Sequence, residues 1–188
     1  MRKIVMFMHT SLDGFAAGPN GEMDWIIVSD EMFDFAGEQT NQADTALYGR
    51  VTYQMMENYW PTAADHPGAS KHDIEHSAWY NKVSKVVLSE TLRGQQINNT
   101  TIISDQVTER IKELKQQQGR NILVLGSPGA VHSLLKDNLI DDFWLFINPV
   151  ILGQGIPVFT PVKESIKLKL IKSTMFPKEV VCLHYQKE

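Results

Sequence analysis

Cysteine is almost missing from this chain: Cys182 is the only one in 188 residues. No internal disulfide framework can form, which fits a reducing compartment and makes a cytoplasmic location the expectation. A basic tail or stripe is missing too. The chain carries 18 Lys and Arg against 22 Asp and Glu, a formal net charge of −4, so it lacks the electrostatic footprint of a nucleic-acid partner. No apolar run reaches the length of a membrane span, and a membrane partner is not expected. The run Ile4 to Met8 is too short for a signal-sequence core, and Asp13 follows without a small-residue cleavage site. Internal repeats and low-complexity segments are also lacking. What is present is 43% hydrophobic residues, enough for one well-buried core and a single domain over residues 1–188.

The most informative stretch is Ile122-Leu-Val-Leu-Gly126-Ser-Pro-Gly129-Ala-Val-His-Ser-Leu-Leu135. Ile122 to Leu125 form a short continuous apolar run of the kind a doubly covered parallel strand shows. Gly126 allows a sharp turn, Ser127 suits an N-cap, and Pro128 suits the first helical position before Gly129 and Ala130. The free N–H groups of such a helix start attract anions, so the motif can cradle a pyrophosphate. Alone, it reads as an ordinary β-to-α turn. Two further elements of the same kind change the balance. Thr45 to Met56 is again strand, glycine, helix, with Arg50 after Gly49 and a hydroxyl at Thr52. Val86 to Gly94 ends a strand with Ser89, Thr91 and Arg93. Ligands of open α/β sheets bind outside the carboxyl ends of strands, and these three ends together suit a dinucleotide.

Coarse patterning supplies the rest of the frame. Lys3 to His9 reads as a buried strand, and Ser11 to Asp24 as a loop. Ser29 is placed to cap a helix whose first turn holds Asp30 and Glu31. Residues 59–77, rich in Pro, Gly, His and Asp, read as a second long irregular stretch. Ser104 is the expected cap of a helix over Asp105 to Gln118, stopped by Gly119. Ile166, Leu168 and Leu170 alternate with Lys167 and Lys169, predicting a half-exposed strand, and Glu179 to Gln186 a terminal one. Strands and helices alternate to residue 150, after which strands dominate. The expected class is α/β, with a mostly parallel central sheet, an antiparallel edge and helices on both faces.

At this point the chain resembles a known family. Ser11-Leu-Asp-Gly14, Gly49-Arg50-x-Thr52, Leu88-Ser89, Leu125-Gly126-Ser-Pro-Gly129 and the block Asn148-Pro-Val-Ile-Leu-Gly153-x-Gly155-x-Pro157-Val-Phe159 stand in the order seen in the dihydrofolate reductase superfamily. The likeness is closest to its riboflavin-biosynthesis branch, the RibD C-terminal domain, and covers roughly residues 3–187. It implies a dihydrofolate-reductase-like three-layer fold, NADPH as cofactor, a small-molecule substrate and a homodimer. It also implies that the backbone near Met8 and His9 meets the nicotinamide carboxamide, with Ala16 or Ala17 beside the ring. Arg50, Thr52, Ser89, Thr91, Arg93 and Gly126 to Ala130 would hold the rest of the cofactor.

Trp25 and Asp30 repeat a spacing that folate reductases use, which makes Asp30 the candidate proton or substrate partner. Its bland reading is an acid at a helix start. His66, His72 and His76 lack the spacing of zinc hydrolases, so no metal is expected. Cys182 reads as inert packing. Two departures narrow the reading. No zinc cysteines or His-x-Glu of an attached deaminase are present, and residues 57–77 contain no Arg, only Lys71, to hold a folate glutamate. The expected activity is NADPH-dependent reduction of a pteridine- or pyrimidine-like compound, in its most specific form that of 5-amino-6-(5-phosphoribosylamino)uracil. A dihydrofolate reductase-like activity, a flavin-using reductase and a non-catalytic nucleotide-binding protein are the alternatives.

Overall fold

The computed structural model describes residues 1–188. Its strands are β1 (Ile4–Thr10), β2 (Phe15–Ala17), β3 (Ala43–Gly49), β4 (Ser84–Leu88), β5 (Thr100–Ile103), β6 (Asn121–Leu125), β7 (Asp142–Ile147), β8 (Ile156–Pro157), β9 (Leu168–Met175) and β10 (Val181–Lys187). The helices are α1 (Asp30–Asn41), α2 (Arg50–Glu57), α3 (Lys71–Lys82), α4 (Val107–Gln116) and α5 (Pro128–Lys136). Eight strands form one sheet in the order β5-β4-β3-β6-β1-β7-β10-β9, and β2 pairs separately with β8. Every neighbour in the large sheet is parallel except the two pairs made by β10. The expected antiparallel edge is therefore one reversed strand lying inside the outermost one, β9.

Period-two alternation sorts the core onto two faces. Ile4, Met6 and Met8 of β1 pack with Ile111 of α4 and Val131 and Leu134 of α5. Val5 and Phe7 point the other way and pack with Met32 of α1, Tyr53 of α2 and Tyr80 of α3. This gives three layers. The connections then create the site. β1 and β3 run into α1 and α2 on one face, while β6, lying between them, runs into α5 on the other. Chains diverging to opposite faces leave a crevice beyond the carboxyl ends of these strands.

Several local expectations need correction. Residues 59–77 are not irregular: a 3₁₀ turn covers Trp60–Asp65, and α3 starts at Lys71 under a capping box of Ser70 and Asp73. The helix predicted from Ser104 begins at Val107, because Gln106 adopts a left-handed conformation (φ 46°) as its N-cap and makes no side-chain cap. Predicted strand 165–171 is shifted to β9, most of whose residues are exposed, since nothing covers the sheet's edge. The segment read as a loop, Ser11 to Asp24, contains the short strand β2, whose Ala16 and Ala17 are buried. Ser29 caps α1 as expected, its hydroxyl accepting from the Met32 N–H at 3.4 Å.

The β2–β8 junction depends on Gly155. At φ 154° a Cβ on this residue would lie 2.2 Å from the Ala17 carbonyl oxygen. Neither backbone can yield without unpairing. Gly155→Ala is expected to cost about 2–4 kcal/mol, read as a lower urea midpoint at unchanged slope. A midpoint equal to that of the parent protein would show that this close approach is dispensable.

Candidate functional site

The crevice begins at the two glycine turns. Gly126 and Ser127 are both left-handed, at φ 59° and 55°. That conformation suits glycine but costs a serine on the order of 1 kcal/mol. Ser127 offsets the cost through its hydroxyl, which accepts the Gly49 N–H at 2.7 Å. Ser127 therefore does not cap α5 with its side chain, as the sequence suggested; it makes no such bond. Its oxygen instead ties the end of β6 to the end of β3. A Cβ at Gly49 would make ordinary contact, 3.4 Å from Ser127 Oγ and 3.5 Å from the Ala130 nitrogen, so the two turns pack against each other. The starts of α2 and α5 thus stand side by side, with first-turn N–H groups that have no intrahelical acceptor. Beside Gly126 and Gly129 a Cβ would meet nothing within 4 Å, so this backbone faces open space.

The remaining predicted cofactor residues take positions along the same row. Ser89 follows β4, accepts the Leu92 N–H at 3.2 Å and lies 3.2 Å from the Thr91 hydroxyl. Arg93 is exposed, donates to the Ser104 carbonyl at 3.3 Å and lies 3.6 Å from Asp105. Arg50 is exposed and donates to Gln54 at 2.9 Å, while Thr52 is buried. Pro128 is half-buried and Ala130 buried. In strand order the ends run β4, β3, β6, β1, three spacings of about 4.8 Å each. Ser89, Gly49, Gly126 and His9 therefore line a rim roughly 14 Å long, the scale of a dinucleotide.

The other half of the crevice is organised by Asn148, just beyond β7, which the sequence marked only as part of a motif. Its side chain is fully buried. Oδ1 accepts the Ile27 N–H at 2.9 Å, and Nδ2 donates to the carbonyls of Phe146 (3.1 Å) and Thr10 (3.3 Å). One amide thus joins β1, β7 and the segment entering α1. The same Nδ2 lies 3.4 Å from Nδ1 of His9, whose ring packs 4.9 Å from that of Phe146. Asp13 closes the rim. Its carboxylate accepts from the Ser11 hydroxyl (2.7 Å) and from the N–H groups of Leu152 (3.1 Å) and Gly153 (2.7 Å), bonds that hold its pKa below the usual range.

Asp30 is exposed in the first turn of α1, and its charge acts on Lys71, which is itself hydrogen-bonded to Asp34 at 2.7 Å. Trp25 donates to the Glu22 carbonyl at 3.1 Å. The histidines join an aromatic cluster on α3: His72 stacks on Phe33 at 3.9 Å, and His76 lies 4.1 Å from Trp60. A cleft of about 590 Å³ between α1 and α3 includes His72, His76 and Trp79. It opens toward Ala43, Val83 and Arg120, at the beginnings of strands, so it is separate from the glycine turns.

Burial drives the His9 pKa down to about 4 and that of His76 to about 3, with the nearby His72 charge adding to the latter. Both rings are neutral in the fold, whereas the unfolded chain takes up protons near pH 6.5. Their contribution is complete above about pH 6.5 and is lost as the pH falls toward 4. Urea midpoints are expected to stay flat from about pH 8 to 7 and then fall, reflecting a loss on the order of 3 kcal/mol per histidine by pH 4. His9→Gln should flatten the slope. A midpoint constant down to about pH 4.5 would contradict neutral burial.

Comparison with known proteins agrees with this architecture. The family model described as RibD C-terminal domain matches residues 2–182. The uncharacterized protein YyaP of Bacillus subtilis (strain 168) is 34% identical over 188 residues, covering 98% of this chain and 94% of its own. The deaminase/5-amino-6-(5-phosphoribosylamino)uracil reductase of Thermotoga maritima superposes with a TM-score of 0.68 at 17% identity, over 100% of this chain and 57% of its own. Dihydrofolate reductase from Enterococcus faecalis, solved with NADP(H), superposes with a TM-score of 0.62 at 13% identity, over 99% and 96%. The fold is that of dihydrofolate reductase, and the chain belongs to the RibD C-terminal domain family.

Proposed function

We propose that this protein is an NADPH-dependent reductase of a pyrimidine- or pteridine-like ring. The observation that carries the reading is the pair of glycine turns locked by Ser127 and Gly49, at adjacent strand ends facing open space. Family membership and the NADP(H)-bound neighbour point the same way. The residues fit the cofactor. Paired helix starts suit a pyrophosphate. Arg50 and Arg93 supply permanent cations for further phosphates. Ser89, Thr91 and Thr52 add hydroxyls, and the His9 backbone with Ala17 borders the place for the nicotinamide. When bound, NADPH supplies the hydride that adds to the carbon of a C=N bond, while the nitrogen takes a proton and NADP⁺ leaves. Asp30 is assigned as the proton or substrate partner, and Asn148 lies 3.4 Å from the His9 ring nitrogen. The single buried Cys182 suits a reducing cytoplasm.

Calorimetry tests the reading directly. The protein should bind NADPH, and Arg50→Ala should weaken binding by about 1.5 kcal/mol or more. Asp30→Asn should lower turnover while leaving NADPH affinity and stability nearly unchanged. No heat on NADPH addition would overturn the assignment; unchanged affinity in Arg50→Ala would remove that residue alone.

A homodimer through β9 is part of the proposal. This outermost strand leaves Leu170 (49%), Ile171 (45%) and Met175 (78%) exposed. An unpaired apolar edge favours pairing with another chain. Light scattering should give twice the 21.3 kDa chain mass; a monomer mass in dilute solution would reject the dimer.

A further inference from the structure

The cleft between α1 and α3 lies apart from the glycine turns, and nothing in the proposed reaction uses it. Its volume, about 590 Å³, is that of an ordinary small-molecule pocket. One wall is α1. There Gly37 sits inside the helix, where glycine is the least favourable residue short of proline. Neither a turn nor a close approach calls for it: its φ is not positive, and a Cβ would meet nothing within 4 Å. Its effect is to leave the cleft open.

The opposite wall is α3, with His72, His76 and Trp79 spaced along one helix face. Phe33 stacks on His72 at 3.9 Å and joins the two walls near the start of α1. Burial holds both imidazoles below their ordinary pKa, so this wall is planar and uncharged at neutral pH. The indole N–H of Trp79 is shielded from water and has no hydrogen-bond partner. A buried donor left in this way is a standing cost, which an acceptor on a ligand removes.

The far end of the cleft is cationic. Lys82 ends α3 and Arg120 precedes β6, and neither stands in an ion pair. Arg120 donates to the Asn41 carbonyl at 2.7 Å. Asp44, which accepts the Arg120 backbone N–H at 2.8 Å, is neutralised by Arg2. The carboxyl ends of α1 and α3 contribute roughly half a negative charge each, less than the two full cations beside them. Glu75 lies toward the other end, where its charge acts on Lys71.

We propose that this cleft is a second binding site, for a planar aromatic acid whose ring lies between Gly37 and the His72–His76 face and whose carboxylate meets Lys82 and Arg120. The site is separate from the crevice and does not rest on the reductase reading.

Calorimetry with 2-naphthoate and its cationic counterpart 2-naphthylmethylamine tests the proposal. The acid should bind with a Kd below about 1 mM and at least about tenfold tighter than the amine at low salt. Gly37→Leu fills the cleft from the α1 side. It should weaken naphthoate binding by about tenfold or more without lowering the urea midpoint, since it replaces a helical glycine. Lys82→Glu, at an exposed position, should remove the preference for the acid. Should Gly37→Leu fail to fold, Lys82→Glu decides alone. A parent protein that binds naphthoate no tighter than about 1 mM would overturn the proposal. Equal binding to a folded Gly37→Leu, or a preference unmoved in Lys82→Glu, would do the same.

Discussion

One hydrogen bond holds the crevice in shape, that from the Gly49 N–H to the Ser127 hydroxyl. Strand β6 is inserted between β3 and β1, and its helix leaves on the opposite face from theirs. Diverging chains of this kind would splay at their ends, because the ladder stops where the helices begin. The bond carries the connection one step past the ladder. It explains a serine held in a left-handed conformation that makes no cap to its own helix. It also brings two helix starts to one place, where their unpaired N–H groups act together.

Asn148 does for the other half what Ser127 does for the first. Its amide accepts the Ile27 N–H and donates to the carbonyls of Phe146 and Thr10, the latter of which also accepts the Asn148 backbone N–H at 2.8 Å. A buried polar group left without a partner costs about 1–3 kcal/mol. The result is a rigid wall under the mobile-looking sequence of residues 11–30, and β2 pairing with β8 stiffens it further. The buried cations of the molecule lie at the opposite end of the sheet: Arg2 pairs with Asp44 before β1, and Lys115 with Asp141 at 2.6 Å. They anchor the fold at the end of the sheet away from the glycine turns.

The fold was legible to different depths in different segments. The β6–α5 and β3–α2 turns were readable because apolar runs, glycine and proline each constrain the backbone locally. The start of α1 was readable from its serine cap and acidic first turn. Helix α3 was not, since its polar residues and histidines resemble loop composition until the histidines are seen packing on Phe33 and Trp60. The outer strand β9 was misplaced because alternation predicts a covered face, and the edge of this sheet has none.

By itself the sequence determined the alternation of strands and helices, the glycine positions, the order of the family motifs and the distribution of charge along the chain. These depend on short-range backbone sterics and on composition. Tertiary structure alone decided which strand ends became neighbours, that the Ser127 hydroxyl serves Gly49 rather than its own helix, and that Asn148 joins the ends of β1 and β7 to the segment entering α1. Those outcomes depend on contacts between residues 78 and 121 positions apart in the chain. A side chain's hydrogen-bonding capacity is visible in the sequence; its partner is set only when the sheet order places two distant strand ends side by side.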